Sequence, residues 1–279
     1  FQPLHGLGCV ELAFNLRHDL FPIFQEAKAA GQTMGEGLGR SVLARHRFAR
    51  MWGLGDRKNP QAYTPALILL EGDPEVDATL APFTSTSTTA IPSTLTLNGR
   101  LPLCPPNFET IGPSYEVSVG HVLPPSLEEA DAGEAAGTSQ LLPVSWQRLN
   151  HDDSLMDPEL LPDVVVLVDA LQLAAQPGRL VEAITALKRR FPGALLWTPG
   201  LGGPDNVALL TWFGVDLFDL SRSRQAAAAG VLLTAQGPRH CVPTMGEDAS
   251  MDKQVQHWES SIAEVRAAMV SDQMRALVD

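Results

Sequence analysis

Residues Phe191–Gly237 read FPGALLWTPGLGGPDNVALLTWFGVDLFDLSRSRQAAAAGVLLTAQG, a pattern that predicts a strand, a glycine loop, a helix and a second strand. Ala194–Thr198 is a short apolar run followed by Pro-Gly, which is typical of a buried strand. The helix that follows has apolar residues on one face and then a terminating glycine: Val207, Leu210, Phe213 and Gly214. Val215–Leu220 predicts the second strand and carries two aspartates.

A repeated unit of strand, loop, helix and strand predicts parallel strands joined by crossover helices. Ligands of parallel sheets and barrels bind at the carboxyl ends of the strands, where Gly200–Gly203 and Asp219 both fall. A buried carboxylate at such a place is costly unless it is paired or used. Two interpretations of Asp219 therefore stay open: it is a functional group, or it caps a turn or pairs with Arg222 or Arg224.

The hexapeptide Gly-Val-Asp-Leu-Phe-Asp at Gly214–Asp219, preceded by a Gly-x-Gly loop, resembles a motif pair of the tRNA-guanine transglycosylase superfamily. The likeness is closer to the archaeal branch of that superfamily, which includes the archaeosine synthases. It covers about Asp163–Gly237 and, more thinly, Tyr63–Ala66. The resemblance implies an α/β fold with a (β/α)8 barrel of the TIM type, and it implies transfer of a base into tRNA.

The resemblance also implies roles for individual residues. Asp219 matches the aspartate that attacks ribose C1′ in the family, and Gly200-Leu201-Gly202 matches the loop that lies against the bound base. Asp169 follows the buried strand predicted at Val164–Val168, and it is a candidate for binding the exocyclic amine and ring N–H of a purine-like base. An aspartate that only caps the following loop is an equal alternative for Asp169.

The sequence departs from the family in two respects. The Asp-Ser-Gly-Gly motif, which carries the general acid/base aspartate of the family, is absent, so Glu71, Asp73 and Asp169 remain alternatives for a second proton-transfer group. The zinc site of the family uses several thiolates, whereas only Cys241 stands in the corresponding region. We therefore expect neither a metal nor a cofactor.

Composition limits the classes of partner. The formal net charge of −12 argues against a surface that binds phosphates throughout. The basic stretch Arg40–Lys58 is either a solvated helix face or a local nucleic-acid contact. No apolar run is long enough to span a membrane, and the 3 cysteines are scattered, so we expect a cytoplasmic protein without membrane contact.

Two regions are predicted along the chain. Residues 1–60 are expected to form an N-terminal helical extension, with helices near Pro22–Ala30 and Ser41–Trp52. Residues 61–279 are expected to form the transglycosylase-like (β/α) barrel, irregular or incomplete, with its first strand near Thr64–Leu70. Asp169, Gly200 and Asp219 should then meet at one rim of the barrel and share a cavity.

Three hypotheses for function follow. The leading one is a transglycosylase-like protein that binds or exchanges a 7-deazaguanine-type base in tRNA through a covalent bond between Asp219 and ribose. The second is a catalytically silent paralogue that acts as a base-binding or partner subunit. The third is an unrelated metal-free enzyme that holds a sugar phosphate in the loop Gly200–Gly203. Expected partners are tRNA or a deazaguanine base, and a second copy of the chain or a catalytic paralogue.

Overall fold

A computed structural model of the chain describes residues 38–55, 57–70, 72–87, 95–99, 109–110, 140–242 and 248–279. All of these fall within the second of two structural units, Glu36–Asp279. The first unit, Phe1–Gly35, includes the helix predicted at Pro22–Ala30 and lies outside the described residues.

Strands and helices alternate through the second half of the chain, as the sequence pattern predicts. The strands are β1 Arg40–His46, β2 Ala49–Gly55, β3 Pro60–Tyr63, β4 Ala66–Leu69, β5 Phe83–Ser87, β6 Leu95–Gly99, β7 Glu109–Thr110, β8 Gln140–Val144, β9 Val164–Leu167, β10 Leu195–Trp197, β11 Leu217–Asp219, β12 Val231–Thr234 and β13 Gly237–His240. The helices are α1 Trp146–His151, α2 Ala170–Ala174, α3 Arg179–Arg190, α4 Val207–Phe213, α5 Ser221–Ala228, α6 Met251–Val270 and α7 Met274–Val278, and a 3-10 turn spans Asp153–Met156.

The central sheet has eight strands in the order β6-β5-β4-β11-β10-β9-β8-β7. Neighbouring strands run parallel, except that β6 is antiparallel to β5. The last parallel strand, β11, pairs with the first, β4, as it does when a sheet of βα units curls on itself. Within the described ranges, no ladder joins β6 to β7. The sheet is therefore a curled, incomplete barrel.

This architecture corrects the expectation of a (β/α)8 barrel, which requires eight parallel strands in a closed ring. The chain returns from β5 directly into an antiparallel neighbour, β6, so this step is a hairpin and not a βα unit. The α/β class and the parallel arrangement of β8 to β11 agree with the prediction.

The two faces of the sheet belong to two separate hydrophobic cores. Alternate strand residues face the concave side and pack together, among them Ile68, Val166, Trp197 and Leu217. The intervening residues face the helices, where Phe218 contacts the helix α6 residue Trp258 with ring centroids 5.7 Å apart. Position along a strand therefore decides whether a side chain enters the interior of the barrel.

The helix predicted at Ser41–Trp52 is wrong, because these residues form the antiparallel strands β1 and β2. Arg47 adopts a φ of 57° in the tight turn between the strands, which ends any helical continuation. Leu43, an apolar position of the predicted helix, is 47% exposed, whereas Trp52 is buried in the interior core. Burial divides between the two strands of the hairpin, since β2 is mostly buried and β1 is partly exposed, and it does not follow one face of a helix.

The sheet β1-β2-β3 covers the end of the barrel at which the parallel strands begin. Arg40 Nε donates to the carbonyl of Gly193 at 2.7 Å, just before β10, and its guanidinium also pairs with Asp163, just before β9. Arg50 donates to the carbonyl of Pro192. Arg40 and Arg50 of the basic stretch therefore have structural roles: they join the sheet β1-β2-β3 to the segments that precede β9 and β10. Neither residue lies on a helix face, and both guanidinium groups are engaged within the chain.

A buried ion pair fixes the start of β11. Lys188, in the last turn of α3, pairs with Asp216, and the two side chains are 2% and 1% exposed. Burial lowers the pKa of Lys188, and the neighbouring Asp216 opposes that shift. Asp216 also accepts a hydrogen bond from Leu196 N at 2.8 Å. The pair therefore holds the end of α3, the middle of β10 and the start of β11 in fixed relative positions.

Replacing Lys188 with methionine should destabilise the protein by about 3–5 kcal/mol, because the anion of Asp216 would remain buried without its cation. The neighbouring Arg189 is exposed, so Arg189→Met removes the same charge type from the same helix and should change stability by less than about 0.5 kcal/mol. Urea unfolding of the three proteins measures the difference. Equal midpoints for both variants would contradict a structural role for the pair.

Candidate functional site

The carboxyl ends of four neighbouring strands, β4, β11, β10 and β9, form one rim of the sheet. At β11, Leu217 belongs to the interior core and Phe218 to the helix-side core, so Asp219 returns to the interior. The pairing of Asp219 with Ile68 places the end of β4 on one side of it, and β10 lies on the other side. Asp219 is thus a buried carboxylate at the centre of the rim.

Three N–H groups donate to the carboxylate of Asp219, which is only 1% exposed. The indole Nε1 of Trp197 lies 3.1 Å from Oδ2, and the amide of Gly200 lies 2.8 Å from the same oxygen. The amide of Ser221 donates to Oδ1 at 2.9 Å. These donors replace the water that the buried carboxylate has lost. Among the residues that the structure describes, Oδ1 has a single donor, so it keeps acceptor capacity.

The loop after β10 is held by the chain itself. Gly200 has a φ of +70°, a conformation that glycine adopts without strain, and this turn brings its amide to Asp219. A Cβ at Gly202 would overlap the ring of Phe218, and one at Gly203 would lie 2.5 Å from Asp205 Oδ1. Packing against the buried ring of Phe218 therefore requires glycine at position 202, whether or not a ligand approaches, whereas the close neighbours of Gly203 are the ends of flexible side chains.

The amides at both ends of this loop, Gly200 and Gly203, are already engaged, which weakens the phosphate-loop hypothesis. The amide of Gly200 donates to Asp219, and the amide of Gly203 donates to Asn206 Oδ1 at 2.8 Å. A phosphate would have to displace these bonds, and the helix that follows, α4, is only 7 residues long. The side chain of Leu201 packs in the helix-side core, so it does not project over the rim.

The arginines that follow β11 pair with carboxylates other than Asp219. Arg222 makes a bidentate pair with Asp205, with N···O distances of 2.5 and 2.7 Å. Arg224 Nη1 lies 3.1 Å from Asp73 Oδ1. The interpretation of Asp219 as an ion-pair partner of either arginine is therefore wrong, whereas its turn-capping bond to Ser221 is present.

Asp73 is a second buried carboxylate, in the loop that follows β4. Its side chain is 0% exposed, and Leu70 N donates to Oδ2 at 2.7 Å. Burial raises the pKa of Asp73 from its ordinary value, the Leu70 amide and Arg224 oppose the shift, and Asp219 adds to it. Of the three alternatives for a second proton-transfer group, Asp73 is therefore in electrostatic contact with Asp219. Glu71 lies outside the described residues.

Asp169 follows β9 at the same rim, and its hydrogen bond goes to a different element from Asp219. Its Oδ2 accepts from the amide of Trp146 at 2.8 Å, which ties the end of β9 to the start of α1. Its Oδ1 is buried and makes no hydrogen bond to any part of the chain that the structure describes, and burial raises the pKa of the carboxyl group. Its neighbour Val168 packs in the interior core. The structure joins Gly200 to Asp219 directly and leaves Asp169 on the side of the rim facing β8.

Sequence reasoning missed two partners at this site. Trp197 has the pattern of a core residue, and nothing in the sequence distinguishes its indole N–H as a donor to Asp219. The pairing of Arg224 in α5 with Asp73 in the loop after β4 joins distant parts of the chain and has no local signal either. Within the described ranges, no group of three or more His, Cys, Asp or Glu side chains could hold a metal ion, and no helix is long and apolar enough to cross a membrane.

Replacing Asp73 with asparagine should stabilise the protein at neutral pH by about 0.5–2 kcal/mol, a gain typical when an unfavourable functional group is neutralised. The reason is that a carboxyl group with a raised pKa in the folded state costs stability when it is ionised. The gain should disappear as the pH falls below the ordinary aspartate range, where both states are protonated. Melting curves between pH 3 and about 8 measure it, and a loss of stability at neutral pH would contradict the expectation.

Comparison with known proteins adds one partial similarity. No family model matches the chain. A stretch of 76 residues is 34% identical to archaeosine synthase subunit alpha of Methanosarcina acetivorans. The stretch is 27% of this chain and 12% of that protein, so the chain spans far less than two thirds of its relative. The similarity thus concerns one segment of each protein.

Proposed function

We propose that this chain is a transglycosylase-like protein of tRNA modification, which binds a 7-deazaguanine-type base in tRNA and exchanges it at the rim around Asp219. The partial similarity to archaeosine synthase subunit alpha supports tRNA modification at a coarse level. The motif pair Gly200–Gly202 and Gly214–Asp219 supports the transglycosylase type. A partner subunit, either a second copy or a catalytic paralogue, belongs to the same proposal.

The observation that carries the proposal is the environment of the Asp219 carboxylate. It lies at the carboxyl end of a parallel strand, where such sheets bind ligands, and three N–H groups compensate its burial. A carboxylate held in this way is a fixed nucleophile that needs no reorganisation before it reacts. In the proposed reaction, one oxygen of Asp219 bonds to ribose C1′ as the bond from C1′ to the base breaks, and an incoming base later displaces the carboxylate.

A second candidate function is a catalytically silent subunit that binds a base or a partner. Specific observations favour it: Asp219 is engaged in three structural hydrogen bonds, and Leu201 packs in the helix-side core. In this case the motif would persist because it holds β10, β11 and the glycine loop together.

Exchange of a labelled base into tRNA tests the proposal. Asp219→Asn removes the anion that attacks C1′, so we expect exchange to fall by several powers of ten while binding of a 7-deazaguanine changes little. Asp205→Asn is the matched control, since Asp205 is a neighbouring carboxylate paired only with Arg222 among the contacts described above, and its exchange should stay within about threefold of the parent.

The outcomes separate the two functions. Equal exchange by the parent and by Asp219→Asn would show that Asp219 is not the nucleophile. Base binding without exchange by the parent would favour the silent subunit. Melting curves of both variants verify that they are folded, because Asp219→Asn turns an amide N–H toward existing donors and should cost about 1–3 kcal/mol.

A further inference from the structure

The two oxygens of the Asp219 carboxylate differ in the donors that bind them. Oδ2 accepts from the indole Nε1 of Trp197 at 3.1 Å and from the amide of Gly200 at 2.8 Å. Among the residues that the structure describes, Oδ1 accepts only from the amide of Ser221, at 2.9 Å. A carboxylate oxygen offers about two lone-pair sites, so those of Oδ2 are filled and Oδ1 has one left. Oδ1 is therefore the oxygen that can bond to ribose C1′.

Trp197 differs from the two backbone donors because its N–H group belongs to a side chain that the sheet holds in place. The residue is 0% exposed in the interior core, and β10 pairs at this position with Leu217 of β11 and with Val166 of β9. An indole N–H donates a hydrogen bond and accepts none, and indole is neither an acid nor a base at neutral pH. Trp197 can therefore act on the chemistry of Asp219 only by stabilising its negative charge.

The charge on Asp219 disappears and returns during the proposed exchange. In the first half, Oδ1 bonds to C1′, the bond from C1′ to the base breaks, its electron pair goes to the base, and the base takes a proton from solvent. The carboxylate has then become a neutral ester. In the second half, the incoming base bonds to C1′ and loses a proton to solvent, while the electron pair of the bond between Oδ1 and C1′ returns to Asp219. Hydrogen bonds to a charged acceptor are about twice as strong as those to a neutral one, so the donors at Oδ2 favour the carboxylate over the ester.

We infer that Trp197 is a positioning residue whose indole N–H shortens the life of the covalent bond between Asp219 and ribose, an inference that rests on the proposed function. Fixed donors accelerate the step in which negative charge develops on their acceptor, and that step is the departure of Asp219 from C1′. The same hydrogen bond stabilises the free carboxylate, so it does not accelerate the attack. Trp197 thus keeps the protein from remaining trapped as a covalent adduct with RNA.

Trp197→Phe removes the N–H group and keeps an aromatic ring in the interior core. Loss of a hydrogen bond to a charged acceptor should slow breakdown of the adduct by about 10–10²-fold, while formation of the adduct stays unchanged or becomes faster. Formation is measured by mixing the protein with tRNA, quenching in denaturant and separating RNA-linked protein on a gel. Breakdown is timed after addition of labelled 7-deazaguanine.

Trp258→Phe is the matched control. Trp258 is also 0% exposed, and its Nε1 donates a hydrogen bond to Ser223 Oγ at 2.9 Å, on the helix side of the sheet. The substitution removes the same N–H group from an equally buried indole that does not bond to Asp219. Both adduct rates in Trp258→Phe should therefore stay close to those of the parent.

The two rates separate stabilisation of charge from damage to the fold, because damage would slow formation and breakdown together. Breakdown in Trp197→Phe that is no slower than in the parent, or is slowed only as much as formation, would overturn the role of Trp197 and leave Asp219 as the nucleophile. The same accumulation of adduct in Trp258→Phe would overturn it too. If melting curves show that Trp197→Phe is unfolded, benzothienylalanine at position 197, which has sulfur in place of the indole N–H, is tested in the same way. A folded parent that binds tRNA but exchanges no base, with no adduct in any variant, would overturn the proposed function and this inference with it.

Discussion

The buried ion pair of Lys188 with Asp216 is the constraint on which the rest of the site depends. It joins the end of α3 to the start of β11, and the bond from Leu196 to Asp216 joins β10 to the same point. Three residues further along β11, Asp219 therefore lies beside Trp197 at the opposite end of the strand. Asp216, the first aspartate of the hexapeptide, fixes the position of β11 beside β10. Asp219, the second, is thereby placed within hydrogen-bond distance of Trp197.

Much of this region could be predicted from the sequence because its signals are local. An apolar run closed by Pro-Gly marks β10, and the spacing that ends at Gly214 marks α4, whose final turn is capped by that glycine at a φ of 111°. The position of Asp219 at a strand end follows from the same pattern. Its hydrogen-bond partners do not, since Trp197 lies 22 positions away in the chain and only the strand pairing brings them together.

The errors have a common physical origin. Residues 41–52 contain helix-forming side chains, yet Arg40 and Arg50 form long-range bonds to carbonyls before β10 that stabilise a hairpin instead. The antiparallel return of β6 likewise depends on pairing with β5, which no periodicity reveals. In each case tertiary contacts override a correct local preference.

The insertion of β11 between β4 and β10 has a consequence for biosynthesis. Strands β4 and β10 emerge from the ribosome before β11. Each of them has an unpaired edge until β11 has been synthesised. Parallel pairing between such distant segments is slow, and open edges of apolar strands are templates for association with other chains. A nascent or truncated chain that stops before β11 is therefore exposed to aggregation, and the strand that carries Asp219 is also the one that protects the polypeptide during its synthesis.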